Sequence, residues 1–327
     1  MVIPRGLFIC SLLLVALPFT ASAERIHEPL RVENLSPLAQ LIGLPAQRSA
    51  DIKTGLSIGW HTDIATHFVA RESENERVFF DGETQKHSLD LRWGLAPNWE
   101  VSAQLPFIQH GGGFLDSYVN GWHDFFGMSD GGRSQFPEDR IRYQFNGIAG
   151  QSLLEKSASG MGDVTLQLAR ITERQRALQT AYAFGYKASS GSSADWTGSG
   201  ASDFYGLARF SGAHLSNLPL YWHGQLGVTR VGDSDLLTAQ QKNWVYFAGL
   251  SAEWLLSDQW AVIVQVDSHS APMNSELGSL GKTAGLLSLG VRRQVSQHWA
   301  VDISFAEDII VETGPDIIFK AAIHYRP

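Results

Sequence analysis

The stretch LAPNWEV at 95–101 returns in altered form as LSDQWAV at 256–262 and VSQHWAV at 295–301. In each copy a short polar turn precedes a tryptophan, and a valine follows two residues later; the tryptophans are Trp99, Trp260 and Trp299. Each tryptophan begins a row of alternating apolar residues, which is the pattern of a strand with one apolar face. An indole after a tight turn suits a membrane interface, because its ring enters the acyl chains while its N–H stays near the headgroups. We therefore predict that the three turns lie at one end of a membrane-embedded sheet.

Period-two alternation continues along most of the chain from residue 51 onward. It predicts twelve strands, because successive side chains of a strand point to opposite faces. They lie near 52–69, 89–95, 99–107, 163–171, 177–188, 203–212, 220–230, 243–255, 260–268, 284–295, 299–306 and 316–326. In the strand that starts at Asn243, Trp244 and Trp254 stand at the two edges of the apolar face. A tilted strand of about ten residues spans roughly 25 Å, so both are predicted interface residues as well.

The lengths of the connections separate a membrane barrel from a soluble β-sandwich. Short connections are predicted at 96–98, 172–176, 213–219, 256–259 and 296–298. Longer ones are predicted at 70–80, 108–160, 189–202, 231–242, 268–282 and 307–315. Short and long alternate strictly, as in outer-membrane barrels with brief periplasmic turns and larger extracellular loops. The expected fold is all-β: a transmembrane antiparallel up-and-down β-barrel of about twelve strands, within a range of about ten to fourteen, since the stretch at 76–95 or the one at 140–150 could add a hairpin.

The first residues of the chain predict its export. An apolar run over 7–19 ends before Ala21-Ser22-Ala23, which predicts a signal peptide at 1–23, cleaved after Ala23. The only cysteine, Cys10, lies in this leader, so the mature chain has neither a disulfide nor a thiolate metal site. No later apolar stretch is long enough for a membrane helix. The formal net charge of −8 and the scattered basic residues exclude a nucleic-acid-binding protein. We expect an N-terminal segment at 24–50 and an outer-membrane barrel at 51–327.

The N-terminal segment does not follow the strand pattern. Ser36 as N-cap, Pro37 at the first helical position and Gly43 after Ile42 predict a short capped helix. Such a segment before the first strand would either plug the lumen or remain a periplasmic tail. The sequence leaves these two interpretations open.

The long connection after Phe107 is rich in aromatic residues. Phe114, Tyr118, Trp122 and Phe125 recur every three or four residues, which predicts an amphipathic helix that ends at Gly127. A solvated loop needs no such aromatic face, so the helix should fold into the barrel mouth or lie at the outer-leaflet interface. The candidate ligand residues of this segment are Phe114, Tyr118, Trp122, His123, Phe125 and Phe126.

Charged residues form a second candidate group: Asp81 and Glu83, in the first long loop or at its strand, and Asp116 and Arg133, in the second long loop. Arg133 could pair with one of the carboxylates and tie the two loops together, or the group could contact a ligand. His110, His123 and Asp124 lie in the same region, but their spacing fits no metal template, so we predict neither a metal nor another cofactor.

Catalytic patterns are weak. His269 with Ser270 or Ser279, and His87 with Ser88, are the nearest serine–histidine combinations. Neither combination has a nucleophile elbow or an orienting carboxylate at a telling distance. We therefore predict a protein without enzymatic activity.

Short motifs along the chain carry a family resemblance. They are Asn34 with Ser36-Pro37-Leu38, Gly43-Leu44-Pro45, Asp81-Gly82-Glu83-Thr84, Leu105-Pro106-Phe107, Gly112-Gly113-x-Leu115-Asp116, Trp122-His123, Phe126-Gly127, Gly132-Arg133 and Gly160-x-Gly162-Asp163. With these the chain resembles an uncharacterised family, a domain of unknown function, of bacterial outer-membrane β-barrels. The resemblance covers most of the mature chain and is densest from 30 to 170. A weaker similarity links it to the barrels of aromatic-degradation pathways and to fatty-acid channels. The resemblance implies fold and location, and no activity.

Three functions follow as expectations. The first is a monomeric outer-membrane barrel, surrounded by lipid, that binds or passes small hydrophobic or amphipathic molecules. In that function residues 30–45 gate the lumen and the aromatic segment at 114–126 collects the ligand. The alternative is a structural or interaction barrel with a filled lumen and no transport. An envelope lipid hydrolase is the third.

Overall fold

The computed structural model describes residues 25–127, 132–148, 150–175, 177–213, 218–237 and 240–326. The leader predicted at 1–23 lies outside these residues. The described chain forms fifteen strands in one antiparallel sheet. They are β1 (Gly55–Glu72), β2 (Arg77–Ala96), β3 (Trp99–Gly111), β4 (Arg142–Gly147), β5 (Gly150–Leu154), β6 (Ala158–Met161), β7 (Thr165–Arg174), β8 (Gln179–Lys187), β9 (Asp203–Ala213), β10 (Leu220–Arg230), β11 (Trp244–Leu255), β12 (Trp260–His269), β13 (Ala284–Gln294), β14 (Trp299–Asp308) and β15 (Ile317–Tyr325).

Twelve of these strands close into a barrel. The order runs from β2 through β1 to β15, then strand by strand down to β7 and on to β3. β2 pairs with β3, which completes the ring. The first and last strands are neighbours, with Thr62 opposite Ala321. Closure leaves no unpaired strand edge in the ring, the condition for crossing a membrane with strands. The predicted twelve-stranded all-β barrel is confirmed.

The two ends of the barrel differ. Connections such as 97–98, 256–259 and 295–298 join strands at one end, which we call the turn end. Connections such as 188–202 and 270–283 leave from the other, the loop end. The first connection at the loop end, at 73–76, is shorter than predicted, because β1 and β2 continue past their neighbours as a paired ribbon. Of the two places predicted for Asp81 and Glu83, the loop or its strand, the structure has the strand.

The long connection between β3 and β7 contains three further strands. β4 pairs with the start of β2, and β5 completes a hairpin with β4. β6 pairs with the last residues of β3. These strands extend the wall above the ring at the loop end, so they add no strand to the barrel.

Inward and outward side chains alternate as the sequence predicts. On β12, Ile263 and Gln265 are buried, while Val264 and Val266 are exposed. All five predicted interface tryptophans are exposed: Trp99, Trp244, Trp254, Trp260 and Trp299. Three of them lie beneath guanidinium groups, at 5.1, 5.6 and 5.3 Å from the ring centroid for Trp99, Trp244 and Trp260. Their contact with the membrane interface stays a prediction.

Helices are few. The aromatic segment forms α1 (Asp116–Phe126), followed by Gly127 with φ of 65°, and α2 (Gly278–Gly281) is a single turn. The helix predicted near Ser36 is only a 3₁₀ turn, Ala39–Leu41. The N-cap position of that turn is Leu38 and no side chain caps it, so the predicted side-chain cap by Ser36 is wrong, although the Ser36 carbonyl accepts the Gln40 N–H (3.0 Å). Among the described residues no helix has the length and apolar character needed to cross a membrane.

Candidate functional site

The inner face of the barrel contacts residues 26–52. From here on the name N-terminal segment refers to this range. The Ile26 N–H donates to a glutamine side chain on β13 at the turn end (3.1 Å). Midway, the Asn34 amide donates to a carbonyl in the loop between β14 and β15 at the loop end (2.8 Å). The Ile52 carbonyl accepts from an arginine on β7, again at the turn end (3.2 Å). The segment thus rises to the loop end and returns, with both ends at the turn end.

The rising half of the segment is held by ion pairs. Glu28 accepts from Arg92 on β2 (2.7 Å). Glu33 is paired with Lys86 on β2 and with Arg31 of its own half (3.0 Å). Burial by itself would raise the pKa of Glu33, but Lys86 and Arg31 outweigh it and hold that pKa below its ordinary value. These carboxylates are therefore ionised and paired.

The returning half is held by charged and polar contacts too. The Gly43 N–H donates to Asp203 on β9 (2.7 Å). Arg48 donates to Asp90 on β2 (2.6 Å), and the Gln47 amide donates to a carboxylate on β12 (2.7 Å). Two small apolar clusters complete the packing of the segment, one around Leu30 and Leu35, the other around Ala50 and Ile52.

The barrel wall carries a charge network of its own. Arg292 on β13 is fully buried and donates two hydrogen bonds to Asp302 on β14 (2.7 and 2.6 Å). It also donates to the Glu28 carbonyl of the N-terminal segment (2.8 Å). Where the last strand meets the first, Lys320 on β15 donates to Asp63 on β1 (2.6 Å). The lumen therefore contains both polar and apolar side chains, and most of its contacts are polar or charged.

Little empty space remains around the N-terminal segment. A cavity of about 20 Å³ lies between Pro45 and Tyr205. A second, of about 40 Å³, lies beside Asn34 and Phe247, and a third, of about 30 Å³, lies beside Arg92 at the turn end. A single water needs roughly 10–15 Å³ of such space, so each cavity holds only one to a few waters.

An apolar cluster closes the loop end, and we call it the cap. The turn of the N-terminal segment enters it through Leu38, Leu41 and Ile42. Trp196, from the loop between β8 and β9, is almost fully buried in it, and its carbonyl lies 3.1 Å from His110 Nε2. The other main members are Val69, Phe80, Tyr143, Phe145, Leu237, Val245, Met273, Leu277 and Leu280.

The Gly160-x-Gly162-Asp163 motif lies at the base of the cap. Asp163 accepts N–H groups from two residues of the connection at 188–202 (2.9 and 3.0 Å). Lys187 bridges Asp163 and Asp203, at 3.0 Å from each, and donates to the Leu41 carbonyl (2.6 Å). The motif aspartate therefore joins the loop that carries Trp196 to the tip of the N-terminal segment. Lys187 is a site residue that the sequence analysis did not identify.

The second predicted group surrounds the outer side of the loop end. Arg133 donates to Asp116 (2.7 Å) and to Thr66 on β1 (3.0 Å), and it pairs with Asp316 in the loop before β15. Arg133 pairs with neither Asp81 nor Glu83 of β2. Asp81 instead pairs with Arg140 (2.7 Å). Arg133 thus ties the segment around α1 to β1 and to the last loop.

Glu83 binds the start of the aromatic segment. One of its carboxylate oxygens accepts the N–H groups of Phe114 (2.9 Å) and Leu115 (2.5 Å). Gly113 allows this approach, because a Cβ on it would lie 1.9 Å from the Glu83 carboxyl carbon, whereas a Cβ on Gly112 would lie 1.8 Å from the Asp139 carbonyl oxygen. Gly113 also has φ of 82°, a conformation that favours glycine. The paired glycines therefore serve close backbone contact.

The described aromatic side chains of the segment at 114–126 lie outside the barrel. Phe114, Tyr118 and Phe125 are exposed, and the Tyr118 ring meets Phe319 on the outer face of β15 at 5.8 Å between centroids. The segment was predicted to lie in the barrel mouth or on the outside at the membrane interface. The described side chains lie on the outside. The side chains of the other three candidate ligand residues lie outside the described part of the structure: Trp122, His123 and Phe126.

A serine–histidine pair lies in the lumen near the turn end. Ser211 Oγ is 2.8 Å from His223 Nδ1, but His223 Nε2 has no hydrogen-bond partner among the described residues. His269 contacts Asn34 and the Ser270 carbonyl, with no carboxylate. Across the described chain no serine, histidine and carboxylate form a hydrogen-bonded triad. No trio of His, Cys, Asp or Glu there is placed to hold a metal ion.

Solved structures with a similar fold include an outer-membrane channel and a porin. The COG4313 outer membrane channel from Pseudomonas putida F1 has 12% identity and a TM-score of 0.54, over 84% of this chain and 96% of that one. The NanC porin has 6% identity and a TM-score of 0.46, over 84% and 100%. The Ralstonia pickettii toluene transporter TbuX has 9% identity and a TM-score of 0.39, over 85% and 91%.

These likenesses concern the barrel fold. No curated protein sequence matches the chain. The model of one protein family, described as protein of unknown function (DUF3187), matches residues 6–326. That match confirms the predicted resemblance, and the chain belongs to this family.

Proposed function

We propose that the protein is an outer-membrane channel in its closed form, and that the N-terminal segment is its plug. The observation that carries the proposal is the chemistry of the contact between the segment and the wall. Glu28, Glu33 and Arg48 of the segment each pair with an opposite charge on β2. Water can take over such contacts when the segment moves, so an open lumen would be hydrated.

Stability alone does not account for this lumen. Buried ion pairs can often be replaced by apolar residues of similar volume with no loss of stability, because desolvation offsets the attraction between the charges. A barrel built only as a scaffold could therefore have an apolar filling. The charged wall supports a passage that is closed by a removable part of the chain.

The layers along the lumen favour small amphipathic molecules. A solute that enters at the loop end would first meet the cap, with Trp196 and Tyr143, and then the charged wall around Asp90 and Arg92. An apolar part suits the first layer, and a polar part suits the second. Collection of the ligand by Phe114, Tyr118, Trp122, His123, Phe125 and Phe126 stays a prediction.

The orientation follows the usual design of outer-membrane barrels. Short turns face the periplasm and long loops face outward. With that orientation both ends of the plug lie at the periplasmic side, beneath the cap. Opening would then shift the plug toward the periplasm, since Leu38, Leu41 and Ile42 are covered at the loop end.

A disulfide lock tests the plug. Ser49 of the N-terminal segment and Ser211 on β9 have their hydroxyl oxygens 3.3 Å apart. The only cysteine of the chain is Cys10. A Ser49→Cys/Ser211→Cys variant should therefore form one disulfide between plug and wall. Ion conductance in planar bilayers and benzoate release from liposomes are measured for the oxidised and reduced protein.

We expect the oxidised form to conduct less than the reduced form, and a variant without residues 26–52 to conduct at least about tenfold more than either, since the plug fills the lumen. Ser49→Cys alone is the control, and oxidation should leave its conductance unchanged. Equal conductance in the oxidised variant, the reduced variant and the protein without residues 26–52 would contradict the proposal that the protein is a channel closed by a plug.

The alternative is a structural barrel with a permanently filled lumen. The small cavities, of about 20 to 40 Å³, favour it over an open pore. In that case the oxidised and reduced forms of the disulfide variant would be equally closed, and only the variant without residues 26–52 would pass ions and benzoate.

A further inference from the structure

A polar groove of about 270 Å³ lies on the outer wall near the loop end, apart from the lumen. Its polar lining includes Glu83 and Gln85 of β2, Gln109 of β3, and Ser157 and Ser159. In the strand register Gln85 lies opposite Gln109, and Gln109 lies opposite Ser159. These side chains point outward, because the residues between them on the same strands point into the barrel.

The groove begins where the apolar outer surface ends. Phe107 and Met161 are paired in register and exposed, one step toward the turn end from Gln109 and Ser159. Phe114 is exposed on the loop that forms the opposite side. In a membrane barrel the end of the outward apolar band marks the headgroup level. The groove therefore lies at a headgroup level, which is that of the outer leaflet in the orientation proposed above.

One group in the groove lacks a partner. Glu83 is completely buried, and its Oε1 accepts the N–H groups of Phe114 and Leu115. Its Oε2 has no hydrogen-bond partner among the described residues. A buried carboxylate oxygen without a donor is costly and calls for an explanation. A bound molecule that brings a hydroxyl donor, directly or through a water, provides one.

The chemistry of the lining selects the ligand. Two glutamine amides and two serine hydroxyls both donate and accept, while Glu83 Oε2 accepts. No lysine or arginine is among the described residues that line the groove, and both ring nitrogens of the lining residue His110 already contact Thr84 and the Trp196 carbonyl. A phosphate would therefore meet a carboxylate without a compensating cation. We propose that this groove binds the neutral saccharide headgroup of an amphiphile in the outer leaflet, whose apolar chain lies along Phe107 and Met161. The proposal does not depend on transport through the lumen.

Retention of an alkyl glycoside tests the proposal. The full-length protein, in micelles of a polyoxyethylene ether, is mixed with dodecyl maltoside, and the bound amphiphile is counted by native mass spectrometry. We expect retention of one maltoside in preference to a polyoxyethylene ether of the same alkyl chain. In Gln109→Leu/Ser159→Ala this preference should fall by about tenfold, because two hydrogen bonds to the headgroup are lost.

The matched control is Gln297→Leu, an exposed glutamine at the turn end, which should retain the maltoside like the parent. Heat-modified gel migration shows whether each variant is folded. Equal retention of both amphiphiles by the parent, or unchanged preference in the double variant, would overturn the proposal. Free maltose is tested separately by saturation-transfer NMR. Binding of free maltose as tight as that of dodecyl maltoside would overturn the assignment to a membrane amphiphile.

Discussion

The cap and the lumen below it are filled in different ways, although both contact the same N-terminal segment. In the cap, Leu38, Leu41 and Ile42 pack against Trp196 and other apolar side chains. In the lumen, most contacts of the segment join charged or polar groups across the wall. Apolar burial is lost when water enters, whereas ion pairs exchange one polar partner for another. The cap should therefore be the more stable part of the closure, and the lumen the part that can rearrange.

The largest expected effect is that of Trp196→Ala in the cap. Removal of a fully buried tryptophan costs about 4 kcal/mol, since it removes apolar contact and leaves a cavity. We expect amide hydrogen exchange in 188–202 to become several hundredfold faster by local opening. Trp254→Ala is the control, because Trp254 is exposed on the outer wall. Similar exchange in both variants would contradict the closing role of the cap.

A smaller effect is expected for Arg292→Met in the lumen. The variant leaves Asp302 without its two guanidinium hydrogen bonds, which costs about 3 kcal/mol for a buried pair. The free energy of unfolding in urea, measured in lipid vesicles, should fall by that amount. Arg293→Met is a matched control on the next residue, where the guanidinium lies over Trp260 on the outer face. Its cost should stay below about 1 kcal/mol.

If Arg292→Met and Arg293→Met destabilise the barrel equally, the charge network of the wall does not contribute as described. Arg292→Met could instead raise the conductance while the barrel stays folded. The lumen charges would then contribute more to the position of the plug than to the stability of the barrel, unlike the apolar contacts of the cap.

The smallest expected effect concerns the loop outside the barrel. Gly113→Ala forces a Cβ against the Glu83 carboxyl group at a positive φ, a strain of about 2 kcal/mol. The N–H groups of Phe114 and Leu115 should then exchange about thirtyfold faster, since their acceptor is displaced. Gly121→Ala in α1 is the control, because a Cβ there meets no atom within 4 Å. Unchanged exchange in Gly113→Ala would show that Glu83 does not hold this loop.

Much of the fold was predictable from the sequence. Period-two alternation and the regular change between short and long connections predicted twelve strands and their closure, and the strand order confirms both. The hairpin of β4 and β5 lies at the 140–150 stretch, where the sequence left an added hairpin open, but it extends the wall and adds no strand to the ring. β6 was not predicted, because a strand that only extends a wall does not share its alternation of connection lengths. The helix of the aromatic segment was predictable from its spacing, but the side of the barrel on which it lies was not.

For the charged candidate residues, too, the sequence predicted only part of what the structure shows. Glu83 and Arg133 were identifiable as charged residues of the loop region, yet their partners were not. Arg133 pairs with Asp316, which is far away in sequence, and Glu83 binds backbone N–H groups that have no sequence signal. Lys187 was missed, because a single lysine at the end of a strand resembles many others before its neighbours are known.

The sequence by itself determined the alternation of faces, the strand number and the end at which Trp99, Trp260 and Trp299 lie, because these depend on neighbours along the chain. The tertiary structure alone decided that residues 26–52 contact the inner wall. Their partners are spread over strands from β2 to β14, and closure of the barrel brings those strands around one axis. Long-range pairing of single polar residues leaves no periodic pattern, so only the folded chain shows it.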